Sequence, residues 1–151
     1  MKSHGVGGHF VNTASIAGQY GMQGLGVYCA GKFAVVGLSE SLRLDLAAYG
    51  IGVSVLCPGV VETRIGESER NRPDQYGGST APAMVQREGA APVDLRVMQP
   101  GDIGDMVLHA VQNDRFYILS HEEFQVPVKK RAQELADEFA YWKSYCDANG
   151  I

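Results

Sequence analysis

The run from Ile51 to Cys57, IGVSVLC, is almost continuously apolar and stops at Pro58 and Gly59. Its length suits a strand, and a strand without polar alternation has no face to give to water. It must be covered on both sides, which points to a central parallel strand between layers of helices. The flanks agree. Upstream, Val35, Leu38, Leu42 and Leu46 recur at three- and four-residue steps, and Phe33, Val36 and Leu44 widen the apolar surface. This pattern predicts a helix over residues 27–49, buried on more than one side and ended by Gly50 and Gly52. Residues 8–14 form a β-prone run bounded by glycine, and residues 15–26 a Gly-rich loop. Strand, loop, helix, strand is a βαβ unit, and open α/β sheets bind ligands just past the carboxyl ends of their strands.

Downstream the pattern changes. Residues 64–99 are polar and rich in Gly and Pro, with a short helix predicted over 81–88. Such a long irregular stretch inside a domain reads as a functional loop or a disordered one. Met84, Val85, Leu95, Val97 and Met98 give it the makings of an apolar pocket wall. Asp102 is expected to cap a helix carrying Ile103, Val107, Ala110 and Val111. Residues 115–119 read as a third strand. Over residues 127–148, Val128, Ala132, Leu135, Phe139, Trp142 and Cys146 alternate four- and three-residue steps, one apolar helical stripe suited to the core or to a subunit contact.

Composition narrows the function classes. The chain has 151 residues, 45% apolar and 20% charged, with a net charge of −4. That is ordinary for one globular domain and gives no footprint for nucleic acid or an anionic membrane. No apolar run approaches the ~20 residues that span a bilayer, and residues 1–8 lack the apolar core of a signal peptide. Cys29, Cys57 and Cys146 are odd in number and widely spaced, which suits reduced thiols and a cytoplasmic location. His4, His9, His109 and His121 show no metal-ligand spacing, so no metal is expected.

Tyr28 and Lys32 are four apart and share a helix face. Free tyrosine, with a pKa of about 10, is a poor acid or base at neutral pH, and an ammonium one turn away favours its phenolate. A tyrosine so tuned can exchange a proton with a carbinol oxygen, and Ser15 could hydrogen-bond the same oxygen. Taken singly, each residue has an ordinary explanation. Ser15 would be a capping serine, Tyr28 a surface aromatic, Lys32 a solvated charge, Pro58 and Gly59 a turn, and Thr63 a cap.

Their order and spacing are less ordinary. Asn12, Thr13, Ala14 and Ser15, then Tyr28-x-x-x-Lys32, then Pro58, Gly59, Val61 and Thr63 resemble the short-chain dehydrogenases/reductases. Residues 8–64 match that family closely and 100–124 in outline. The resemblance implies an α/β fold, the C-terminal half of a Rossmann-like, doubly wound parallel sheet of three strands with flanking helices. It implies hydride transfer between NAD or NADP and a small alcohol or carbonyl substrate. Ser15 would polarise the substrate oxygen, and Tyr28 would give or take its proton. Lys32 would assist Tyr28 and bind the nicotinamide ribose. Pro58, Gly59, Val61 and Thr63 would line the nicotinamide, and residues 64–99 would be the variable substrate loop. Homodimers or homotetramers are also implied.

The family's Gly-rich TGxxxGxG turn and its Asn-Asn-Ala-Gly stretch are absent. The chain is therefore expected to be a partial domain over 1–151 that by itself binds NAD(P) weakly and turns over little. The residues that select NAD over NADP lie at the ends of strands not found here. Two other readings remain. One is a non-catalytic interaction fragment that pairs with a full-length subunit. The other is a sugar-nucleotide epimerase or dehydratase, against which the short stretch after the last strand argues.

Overall fold

The computed structural model describes residues 5–78 and 95–151. Among these residues, three strands form one parallel sheet in chain order: β1 (Gly8–Thr13), β2 (Ile51–Cys57) and β3 (Tyr117–Leu119). The register runs from Gly8 opposite Ile51 to Thr13 opposite Leu56, and from Val55 opposite Tyr117 to Cys57 opposite Leu119. The α-helices among the described residues are α1 (Gly26–Leu46), α2 (Pro100–Gln112) and α3 (Gln125–Asn149). This is the α/β architecture expected from the sequence.

β2 is the central strand, and six of its seven residues are buried. Period-two geometry sends Ile51, Val53, Val55 and Cys57 to one face, where they meet Val36 and Leu46 of α1. Leu56 points the other way and joins Ile103 and Ala110 of α2 and Ile118 of β3. The apolar run therefore has no water-facing side because a helix covers each face of the strand.

Several boundaries differ from the sequence reading. α2 begins at Pro100 rather than being capped by Asp102: Gln99 occupies the cap position without a side-chain hydrogen bond. Proline suits the first helical position because its missing N–H would be unpaired there anyway, and Asp102 instead places its charge in the first turn. β3 begins at Tyr117, two residues later than expected. Arg115 and Phe116 still contribute their carbonyls, which accept from the Ser54 hydroxyl and the Val55 amide. α1 passes into a 3-10 turn, Ala47–Tyr49, closed by Gly50 at φ 61°; Gly52 is not part of that stop and lies within β2. Segment 64–99 begins with 3-10 turns at Arg64–Asn71 and Asp74–Tyr76. The helix expected over 81–88, with Met84 and Val85, lies outside the described residues.

Two helix faces expected to be covered stand open. Leu38 and Leu44 of α1 are exposed, so among the described residues part of that helix's apolar surface has no cover. None of the described residues of α3 is buried. Phe33 and Arg131 join α1 to α3, the guanidinium lying 5.0 Å from the ring centre. Among the described residues, no helix is long and apolar enough to cross a membrane.

Candidate active site

The backbone brings the predicted residues together before any side chain does so. The β1–β2 ladder continues past the strand ends, with Ala14 N donating to Leu56 O at 2.8 Å and Ile16 N to Pro58 O at 2.9 Å. Ser15 and Pro58 are thereby held side by side at the carboxyl edge of the sheet. Residues 16–18 then make a 3-10 turn that presses on α1. At Gly18, a Cβ atom would lie 2.7 Å from the Lys32 carbonyl oxygen, so only glycine lets the turn sit this close. That approach sets the separation between Ser15 and the Tyr28–Lys32 face.

One cavity of about 360 Å³ is lined by Ser15, Tyr28, Lys32, Pro58, Gly59, Val61 and Thr63. Thr13, Ala14, Ile65, Pro100 and Ile103 complete its wall. All seven residues singled out from the sequence thus face one space, although they come from three separate segments. The sequence reading missed the last three. Ile65 lay in the stretch read as irregular, Pro100 preceded the cap expected at Asp102, and Ile103 was read only as part of a helix.

The electrostatics are simple. Lys32 Nζ sits 5.6 Å from the Tyr28 ring centre and donates to Thr13 O at 3.4 Å, so the strand end draws the ammonium into the cavity. Tyr28 is 42% exposed, open enough to meet a ligand. Ser15 Oγ accepts from Ala17 N at 3.2 Å, the capping role open to any such serine, and its own proton remains available to donate. Below the floor, burial raises the Cys57 thiol above its usual value, and a hydrogen bond from Gln19 only partly offsets this. Cys57 is therefore a packed thiol, not a reactive one.

The donor set suits a nicotinamide riboside. Pro58, Val61 and Ile103 offer an apolar wall for a flat ring. The Ser15, Tyr28 and Thr63 hydroxyls and the Lys32 ammonium offer partners for a carboxamide, ribose hydroxyls and a substrate oxygen. A second cavity, about 460 Å³, opens beyond Ile16, between Leu119, Phe124 and Val128.

Comparison with known proteins points to one family. Residues 1–74 match the family described as short chain dehydrogenase. The chain is 36% identical over 138 residues to a CLA biosynthesis dehydrogenase/reductase of Lactiplantibacillus plantarum, covering 86% of this chain and 48% of that protein. It is 34% identical over 125 residues to a diacetyl reductase, (S)-acetoin forming, of Staphylococcus aureus, covering 78% and 46%. The solved structure of a short chain dehydrogenase/reductase from Burkholderia phymatum in complex with NAD aligns with TM-score 0.74 at 32% identity, over 91% of this chain and 51% of that one. The chain spans about half the length of the curated relatives it matches. The sequence match, the parallel sheet and the clustered residues together place this chain in the short-chain dehydrogenase/reductase family.

Proposed function

We propose that this chain carries the catalytic side of an NAD(P)-dependent oxidoreductase that interconverts an alcohol and a carbonyl compound. The observation that carries this reading is the single cavity shared by Ser15, Tyr28, Lys32 and the 58–63 loop. When bound, the nicotinamide supplies or accepts a hydride at C4. The chain's residues handle the oxygen. Ser15 donates a hydrogen bond to it and fixes its direction. Tyr28 protonates the oxygen during reduction and takes the proton back during oxidation. Lys32 keeps a positive charge beside the phenol and reaches the ribose hydroxyls. Pro58, Gly59 and Val61 hold one face of the nicotinamide, and Thr63 meets its carboxamide. Segment 64–99 is the substrate-binding loop in this reading, and the Val61–Met98 bridge holds its far end beside the site. Three free cysteines suit a reducing cytoplasm.

The test is a substitution in a preparation of this protein that shows nicotinamide-dependent turnover of a small ketone or secondary alcohol. Tyr28→Phe is expected to lower kcat at least ~100-fold while leaving cofactor affinity within about twofold. Retained turnover would remove Tyr28 from the mechanism.

The bare faces of α1 and α3 favour an accompanying reading, in which the chain pairs with a further subunit as a homodimer or homotetramer. Sedimentation at rising concentration tests it. A monomer at all concentrations, with no subunit co-purifying, would overturn it.

A further inference from the structure

We infer that His121 is the positioning residue that fixes the Gly59–Val61 backbone. The inference rests on the reading of that backbone as the cofactor wall. His121 lies two residues past the end of β3 and is 4% exposed. Its ring is hydrogen-bonded on both nitrogens. Gly59 N donates to Nδ1 at 3.2 Å, and the Ser120 hydroxyl lies 2.6 Å from the same nitrogen. Nε2 lies 2.9 Å from Val60 O and 2.9 Å from Arg96 O.

This pattern assigns the proton. A backbone amide can only donate, so Nδ1 accepts. Two carbonyls can only accept, so Nε2 carries the hydrogen. A single neutral tautomer satisfies every partner, and the imidazole ties together three segments distant in sequence. Val60 O also accepts from Met98 N at 3.1 Å, and Glu62 N donates to Met98 O at 2.9 Å. The histidine therefore clasps the carbonyl on which the Val61–Met98 bridge closes.

Packing reinforces the clasp. A Cβ on residue 59 would lie 2.8 Å from His121 Cγ and 2.6 Å from Phe124 Cε2. Gly59 is packed close against these two rings and itself lines the cavity of Tyr28 and Lys32. Without the imidazole, the Gly59 amide and the Arg96 carbonyl lose a partner in a half-buried setting, where each gains by turning toward water. The cofactor wall would then lose its set shape, although no atom of His121 lines that cavity.

The experiment uses His121→Leu and His121→Gln, with folding checked by far-ultraviolet circular dichroism. Glutamine can present a donor where Nε2 stood, so it returns the bonds to the Val60 and Arg96 carbonyls; leucine returns none. The first readout needs no cofactor. Long-range nitrogen-15 spectra of the wild-type ring should show the Nε2–H tautomer, and exchange of the Gly59 amide should speed at least roughly tenfold in both variants. The second is the dissociation constant for NADH and NADPH, expected to weaken about tenfold in the leucine variant and to recover by more than half in the glutamine variant. An unchanged Gly59 amide, or a glutamine variant as weak as the leucine variant, overturns the positioning role. If the leucine variant does not fold, the glutamine variant decides alone: its Gly59 amide must exchange faster while its cofactor affinity stays within about threefold of wild type. A wild-type protein with the Nε2–H tautomer and a protected Gly59 amide that binds neither cofactor overturns the functional reading, and the amide readout still decides the role of His121.

Discussion

β2 and α3 have equally clear apolar patterns and opposite fates. β2 pairs with a strand on each side, is roofed by α1 and floored by α2, and buries six of its seven residues. α3 carries an unbroken stripe from Val128 to Cys146 and buries none of its described residues. Phe139 is 79% and Trp142 56% exposed, and Trp142 makes edge contacts with Tyr141 and Tyr145 of its own helix. Periodicity states which face of an element is apolar. It does not state what lies opposite, because that depends on chain that is distant in sequence or belongs to another subunit.

The largest effect that could break this contrast is at the centre of β2. Val55 is fully buried, so Val55→Asp places an unpaired charge where no water reaches and should cost at least about 4 kcal/mol, a large share of a small domain's stability. Chemical denaturation measures it, and a loss under about 1 kcal/mol would mean that β2 is not the core.

Next comes the contact between the turn after Ser15 and α1. Gly18→Ala forces a methyl against the Lys32 carbonyl and should cost about 1–3 kcal/mol. Because Lys32 lies on the displaced helix, the variant should also bind cofactor less well; equal stability and equal binding would show that the turn and helix separate freely.

A smaller effect lies at the margin between the covered and bare regions. Tyr117 of β3 donates a hydrogen bond to the exposed Glu40 of α1. Burial, then that hydrogen bond and the carboxylate charge, push its hydroxyl up to about 12. A group whose folded value is raised gives its full stabilisation below the unfolded value, near 10, and loses it as pH rises toward the folded one. The melting temperature should therefore fall between about pH 10 and 12, by less in Tyr117→Phe than in the parent. Identical profiles would remove the Tyr117–Glu40 bond from the fold.

The smallest effect belongs to α3. Phe139→Ser should shift the stability of the isolated chain by no more than about 0.5 kcal/mol. A loss as large as that at Val55, growing with protein concentration, would show that a second molecule covers the stripe.

Much of the fold was legible because it depends on local pattern. The IGVSVLC run marked β2, the three- and four-residue steps marked α1 and α3, and Gly50 marked the end of a helix. The site was legible as spacing, since Ser15, Tyr28, Lys32 and the 58–63 loop recur in a recognisable order. Less legible were Ile65, Pro100, Ile103 and His121, which carry no motif of their own. A histidine just after a short parallel strand could have been flagged by its position at the carboxyl edge of the sheet, where ligands bind. Beyond the adjacent Ser120, its partners Gly59, Val60 and Arg96 could not, because they lie in two distant segments that only folding brings to it.

By itself, the sequence determined which residues are apolar, where strands and helices run, and which side chains have the chemistry for proton transfer. These follow from residue type and from periods of two and 3.6, which act over a few neighbours. Tertiary structure alone decided that Ser15 stands beside Pro58, that Gly18 must be glycine, that His121 reaches Gly59, and that α3 lies bare. Each of these depends on contacts between residues far apart in the chain, and such contacts exist only once the sheet has set the register.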